Sequence, residues 1–212
     1  MDLACCTPGR RAARKADRRR TIIEVAERSF LERGYAQTSM STIAAELGGS
    51  KTTLWSYFPS KEELFAAVLD GMIADFERKL DEALMPGGGT AAVLLRFGRV
   101  ILEKMMSPTS IALHRLLVSE AERVPTMGQA FAERGPDRLR RRLCQWMEGE
   151  MAGGRLRTGD PLLAARQFVA LCQAGCYIDR LWRPIGSIRI DIEADVGAAV
   201  NSFMGAWGPD PR

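Results

Sequence analysis

Apolar residues recur three and four positions apart along nearly the whole chain, and no alternating run longer than a few residues interrupts them, which predicts an all-α protein. From Arg18 to Arg33, the residues Ile22, Ile23, Ala26, Phe30 and Leu31 share one helix face, Glu24, Glu27, Arg28 and Glu32 take the other, and Gly34 supplies a stop. Thr38 and Ser39 offer N-cap hydroxyls to a short helix through Met40, Ile43, Ala44 and Leu47, ended by Gly48 and Gly49. Ser50 can cap a third, brief helix with Leu54 and Phe58 as its inner side, closed by Pro59. Ser60 with Glu63 three residues on is a capping-box pattern that opens a long helix, whose inner stripe is Leu64, Phe65, Val68, Leu69, Met72, Ile73, Phe76 and Leu80.

The run Pro86-Gly-Gly-Gly89 ends that helix and reads as the junction between a compact N-terminal unit and the remainder. Beyond it, prolines and glycines mark out helices from Thr90 to Met106, Pro108 to Arg123, Pro136 to Met151, Pro161 to Trp182 and Asp191 to Trp207. The segment Asp160 to Trp182 is apolar nearly all round, which requires cover on all sides. Residues 1–16 read as a basic, disordered tail.

Composition supports a folded chain, with 46% hydrophobic and 26% charged residues among 212. No apolar run approaches the roughly 20 residues of a membrane span, and the first residues lack the apolar stretch of a secretory signal, so the reading is cytoplasmic with no membrane partner. Cys5, Cys6, Cys144, Cys172 and Cys176 form no even framework and are expected as reduced thiols. His114 is the only histidine, so no metal site and no cofactor is expected. The net charge of +4 is uneven: residues 1–60 hold ten Lys/Arg against six Asp/Glu, so the whole excess lies there. Arg10 to Arg20 alone carries seven basic residues and one acid, which points to a polyanionic partner for this end of the chain.

Two short helices joined by a glycine turn, with an amphipathic helix before and another after, make a helix-turn-helix unit whose second helix is placed to enter a DNA major groove. The outward positions of that helix are Lys51, Thr52, Trp55, Ser56 and Tyr57, every one a hydrogen-bond donor and none acidic. A merely solvated helix would account for Lys51 and Ser56. It accounts poorly for Trp55 and Tyr57, because these rings cannot share one core with Leu54 and Phe58. The basic run Arg10 to Arg20 either solvates the tail, reaches a minor groove or attracts DNA non-specifically.

The residues Ala26, Phe30, Gly34-Tyr35, Thr38-Ser39, Ile43-Ala44, Gly48, Ser50-Lys51, Thr53-Leu54, Tyr57-Phe58, Ser60-Lys61-Glu62 and Leu64 together closely resemble the DNA-binding domain of the TetR family of transcriptional regulators. The segment Leu113 to Pro125, with Phe131, Gly135-Pro136 and Gly159-Asp160-Pro161, is similar to the C-terminal domain of an AefR-like subgroup. The resemblance implies a DNA-binding domain over residues 17–62 and a ligand-binding and dimerisation domain over 63–212. It implies base and phosphate contacts from Ser50, Lys51, Thr52, Trp55 and Tyr57, with Ser39 and Lys61 on backbone phosphates. Members usually carry an apolar residue at Gly49, often a glycine at Thr52 and more commonly a tyrosine at Trp55. An indole only donates, so the operator sequence does not transfer.

The last helix carries the stripe Ile192, Val196, Ala199, Val200, Phe203, Met204 and Trp207, and with Phe168, Leu171 and Ile178 it suits an interface between two copies, the alternative being a core helix within one chain. The resemblance implies the same homodimer. For an apolar small-molecule effector the candidate lining is Phe97, Ile101, Met105, His114, Leu117, Trp146, Met147, Phe168 and Cys172. The expected function is a non-enzymatic repressor released from a palindromic, double-stranded DNA operator by that effector. An activator or an effector-independent repressor is the near alternative. A helical enzyme with an incidental helix-turn-helix is the remote one, and the sequence offers it no phosphate loop and no paired nucleophile.

Overall fold

The computed structural model describes residues 9–48, 51–184 and 186–209, and among these every regular element is a helix. Contacts divide the chain into two units, Met1–Gly71 and Met72–Arg212. The boundary falls inside a helix, beyond the residue 62 implied by the resemblance and well before the glycine run at 86–89.

The first unit contains α1 (Arg10–Arg33), α2 (Met40–Glu46), α3 (Lys51–Tyr57) and the start of α4 (Lys61–Ala83). Its centre is an aromatic triad: Phe30 stacks on Tyr35 at 5.3 Å, and Phe65 meets both edge-on at 5.4 and 5.2 Å. Ile22, Ala26, Ile43, Leu54 and Leu64 close around it, all nearly inaccessible. Ser39 caps α2 by accepting from the Thr42 N–H at 3.1 Å, and Ser60 caps α4 by accepting from the Glu63 N–H at 3.1 Å, as their spacing predicts. The chain reversal between α1 and α2 is fixed by buried Thr38, whose hydroxyl donates to the Gly34 and Ser29 carbonyls at 2.8 and 3.0 Å.

One expectation fails at the start of the chain. α1 opens at Arg10 rather than Arg18, so residues 10–16 are helical instead of disordered tail. Ala12, Ala13 and Ala16 among long basic side chains are strong helix formers, and joining an existing helix avoids a separate nucleation step. Residues 1–8 lie outside the described residues, with Cys5 and Cys6.

The second unit contains the rest of α4 with α5 (Gly89–Met106), α6 (Pro108–Glu120), α7 (Pro125–Arg134), α8 (Pro136–Ala152), α9 (Pro161–Gln173), α10 (Cys176–Trp182) and α11 (Ile192–Trp207). Its core joins Leu94, Phe97 and Ile101 of α5 to Leu143 and Met147 of α8, Phe168 and Cys172 of α9, and Val196, Val200 and Phe203 of α11. Two features escaped the periodicity. The short α7 opens with Pro125, a proline suited to a helix's first turn. The helix expected from Pro161 to Trp182 is two, α9 and α10, broken at Gly175. There the Asp195 carboxylate fills the space that a side chain at 175 would need, and accepts from the Cys176 N–H at 2.7 Å. A group on α11, nineteen positions away, thus caps α10.

Candidate nucleic-acid interface

Leu54 anchors α3 inward at 2% exposure, and Phe58 just beyond its end is equally buried. Those two contacts set the rotation of the helix and turn Lys51, Thr52 and Trp55 to solvent, with Trp55 39% exposed despite its size. Tyr57 is half-buried at the edge. Among the described residues, none of the four uses its side chain in a hydrogen bond or ion pair within the chain. Ser50 and Gly49, and with them the capping and contact roles expected of Ser50, lie outside the described residues.

Three predicted contacts look different in the fold. Ser56 is exposed but donates to the Thr53 carbonyl at 2.7 Å, which leaves its oxygen an acceptor rather than the donor expected. Ser39 spends its oxygen on the α2 cap and is hydrogen-bonded to the Thr42 hydroxyl at 2.8 Å, with either hydroxyl able to donate. Lys61 turns inward: its ammonium donates to the Tyr35 and Thr38 carbonyls at 2.9 and 3.1 Å and lies 4.1 Å from the Tyr35 ring centroid. It therefore clamps the α1–α2 reversal to α4. The Tyr35 hydroxyl completes the brace by donating to Glu62 at 3.4 Å, and burial, with the Glu62 charge behind it, pushes its pKa far above the usual value. Sequence spacing could not show this, because the two ends of the clamp are 26 residues apart.

The proposed effector lining gathers only in part. Phe97, Ile101, Met147, Phe168 and Cys172 sit together in the buried core, with Met105 and Trp146 packed against it, whereas Leu117 and His114 are not part of that cluster. The His114 Nδ1 lies 3.0 Å from the Tyr177 hydroxyl, and its ring meets Phe131 and Tyr177 edge-on. Burial lowers the His114 pKa, and burial raises that of Tyr177 to about 12. A groove of about 260 Å³ opens elsewhere, between α4 and α5, lined by Met72, Phe76, Lys79, Val100, Glu103 and Lys104 among others, and none of the nine candidates lines it. The thiols are poor sensors: burial raises Cys172 to about 12, and burial beside Asp195 does the same for Cys176.

The apolar stripe assigned to a dimer face is largely the chain's own core. Phe168, Val196, Val200 and Phe203 are all at or below 3% exposure, and Phe168 meets Phe203 edge-on at 5.3 Å. Leu171, Met204 and Trp207 are half-buried, with the Trp207 indole donating to Gln167 at 2.7 Å. Ile178 alone of that set is exposed, together with Leu162, Leu163 and Trp182, so the Pro161 to Trp182 segment is not covered on every side. The sharpest stripe was core because a helix buries its most apolar face first.

The order of these parts agrees with comparisons to known proteins. Residues 22–68 match the family described as bacterial regulatory proteins of the tetR family, and residues 92–209 match the C-terminal domain of AefR-like transcriptional repressors. A structure of a TetR-family transcriptional regulator from Mesorhizobium loti aligns with 92% of this chain and 98% of its own at 27% identity and a TM-score of 0.78. The flavonoid-responsive regulator FrrA aligns with 92% of this chain and 100% of its own at 30% identity and a TM-score of 0.77. The HTH-type transcriptional regulator YhgD of Bacillus subtilis is 36% identical over 70 residues, which span 33% of this chain and 37% of that relative. With one family description covering most of its first unit and another more than half its length, the chain belongs to the TetR family of bacterial transcriptional regulators, in the group with an AefR-like C-terminal domain.

Proposed function

We propose that this protein is a homodimeric repressor that reads a palindromic operator through α3 and leaves it when an apolar small molecule occupies the second unit. The observation that carries the reading is the unpartnered outward face of α3, where Lys51, Thr52 and a 39% exposed Trp55 stand on a helix pinned by Leu54. A donor-rich face without an acid suits phosphate oxygens and the acceptors of guanine and adenine edges. Family membership supports the same assignment, and the responsiveness named for FrrA supports a small-molecule effector.

For the dimer, the outer side of α9 and α11 is the favoured surface. Leu162 and Leu163 are exposed there, and Ala170, Ala174, Ala194, Ala198 and Gly205 leave room for close backbone approach. Two reading helices serve successive major grooves when held about 34 Å apart. Release by an effector requires that it bind the DNA-incompetent state more tightly than the competent one. Selection of bound duplex from a random pool tests the reading: a palindrome with half-sites one turn apart is expected. Recovery of no sequence, or of a single unrepeated half-site, would refute it.

A further inference from the structure

Seven cations and one acid lie between Arg10 and Arg20 of α1, and at 3.6 residues per turn they fall unevenly around the helix. Arg10, Arg14, Arg18, Arg11, Lys15 and Arg19 occupy one half of the circumference, in that angular order. Ala12, Ala13 and Ala16 fill the other half. Arg20 also lies on that second half, and it is the cation that Asp17 neutralises. Among the described residues, Arg10, Arg11, Arg14, Lys15 and Arg18 have no ion pair.

This basic stripe is not on the helix's back. Further along α1 the same side holds Ile22, Ala26 and Phe30, buried in the first unit. Followed toward the N-terminus in helical steps, that face replaces apolar residues with Arg18, Arg19, Lys15 and Arg11. The Arg19 guanidinium lies 5.1 Å from the ring centroid of Phe58, the residue that follows α3, so the stripe starts beside the end of the reading helix.

We infer that residues 10–19 form a rigid second DNA-binding element that tracks phosphates beside the segment read by α3, an inference that rests on the operator reading above. Helical rise makes the element about 14 Å long, and each strand carries one phosphate per 3.4 Å or so of duplex axis, so an element lying along the axis spans about four. A run of charge that only solvates the chain has no reason to gather its cations on the core-facing side, nor to set its one acid against the cation outside the stripe. Six cations crowded on half a helix repel one another, and a line of phosphates relieves that repulsion. Such contacts carry no base information. The element therefore adds affinity and salt dependence, and leaves specificity to α3.

The test compares the full chain with the variant Arg10→Ala/Arg11→Ala/Arg14→Ala/Lys15→Ala, whose positions are exposed and whose alanines keep helix propensity. Fluorescence anisotropy on the duplex recovered from the random pool, between about 50 and 200 mM salt, reads the slope of log K on log salt. The slope should shallow by about 0.9 for each phosphate that the variant no longer neutralises, with unchanged base preference across the site. Trimming the duplex to the bare site should shallow the slope of the unaltered protein in the same way. An unmoved slope overturns the proposal, and so does weakened binding to anionic phospholipid vesicles with DNA binding unchanged. Recovery of a sequence with an unmoved slope removes this element alone, whereas recovery of no sequence removes the operator reading and this proposal with it.

Discussion

The two units differ in what their buried aromatic residues can reveal. In the first, Phe30, Tyr35 and Phe65 fill a small core while Trp55 is left outside on a helix of seven residues. In the second, Phe97, Phe168 and Phe203 are completely buried and Trp207 stacks on Phe203 at 6.2 Å, while Trp182 is left outside on α10. A large ring that the core could have taken but did not is a sign of an outside partner. A large ring inside says only that the core is packed, because an effector pocket and an ordinary interior draw on the same residue types.

Phe168→Ala tests that distinction most severely. If Phe168 is core, truncation should cost about 3–5 kcal/mol in chemical denaturation. A small cost would mean that Phe168 lines space already open, and would move it to the effector side of the comparison.

Lys61→Met sharpens the first unit. Removing two charge-assisted hydrogen bonds to the Tyr35 and Thr38 carbonyls should lower stability by about 1–3 kcal/mol and leave the salt slope of DNA binding unchanged. Intact stability with a shallower slope would restore the phosphate contact that the family resemblance implies.

His114→Gln addresses the second unit and has the smallest effect. Burial holds the folded-state pKa of His114 below the unfolded value of about 6.5, so the unfolded chain binds more protons between the two values. Stability of the unaltered protein should thus decline as pH falls below about 6.5, and the variant should decline less when thermal unfolding is followed across that range.

Legibility in the sequence followed the range of the interactions involved. The helix starts at Met40 and Lys61 were readable because their caps are local, a hydroxyl three residues from the N–H it accepts. The inward turn of Leu54 and Phe58 was readable from a four-residue spacing, and with it the outward set Lys51, Thr52 and Trp55. The break at Gly175 was not, since its cause is a carboxylate on another helix. Nor was the inward turn of Lys61, whose partners precede it by 23 and 26 residues. The dimer stripe is a different case: apolarity marks burial, and Val196, Val200 and Phe203 are buried within their own chain.

The central claim is that α3 is the reading head, and the double variant Lys51→Ala/Trp55→Ala tests it most directly. Both side chains are exposed and neither bonds to another described residue, so the thermal unfolding midpoint should not move. Affinity for the selected duplex should fall by about a hundredfold. Unchanged affinity in a variant that still folds would show that the duplex is read elsewhere.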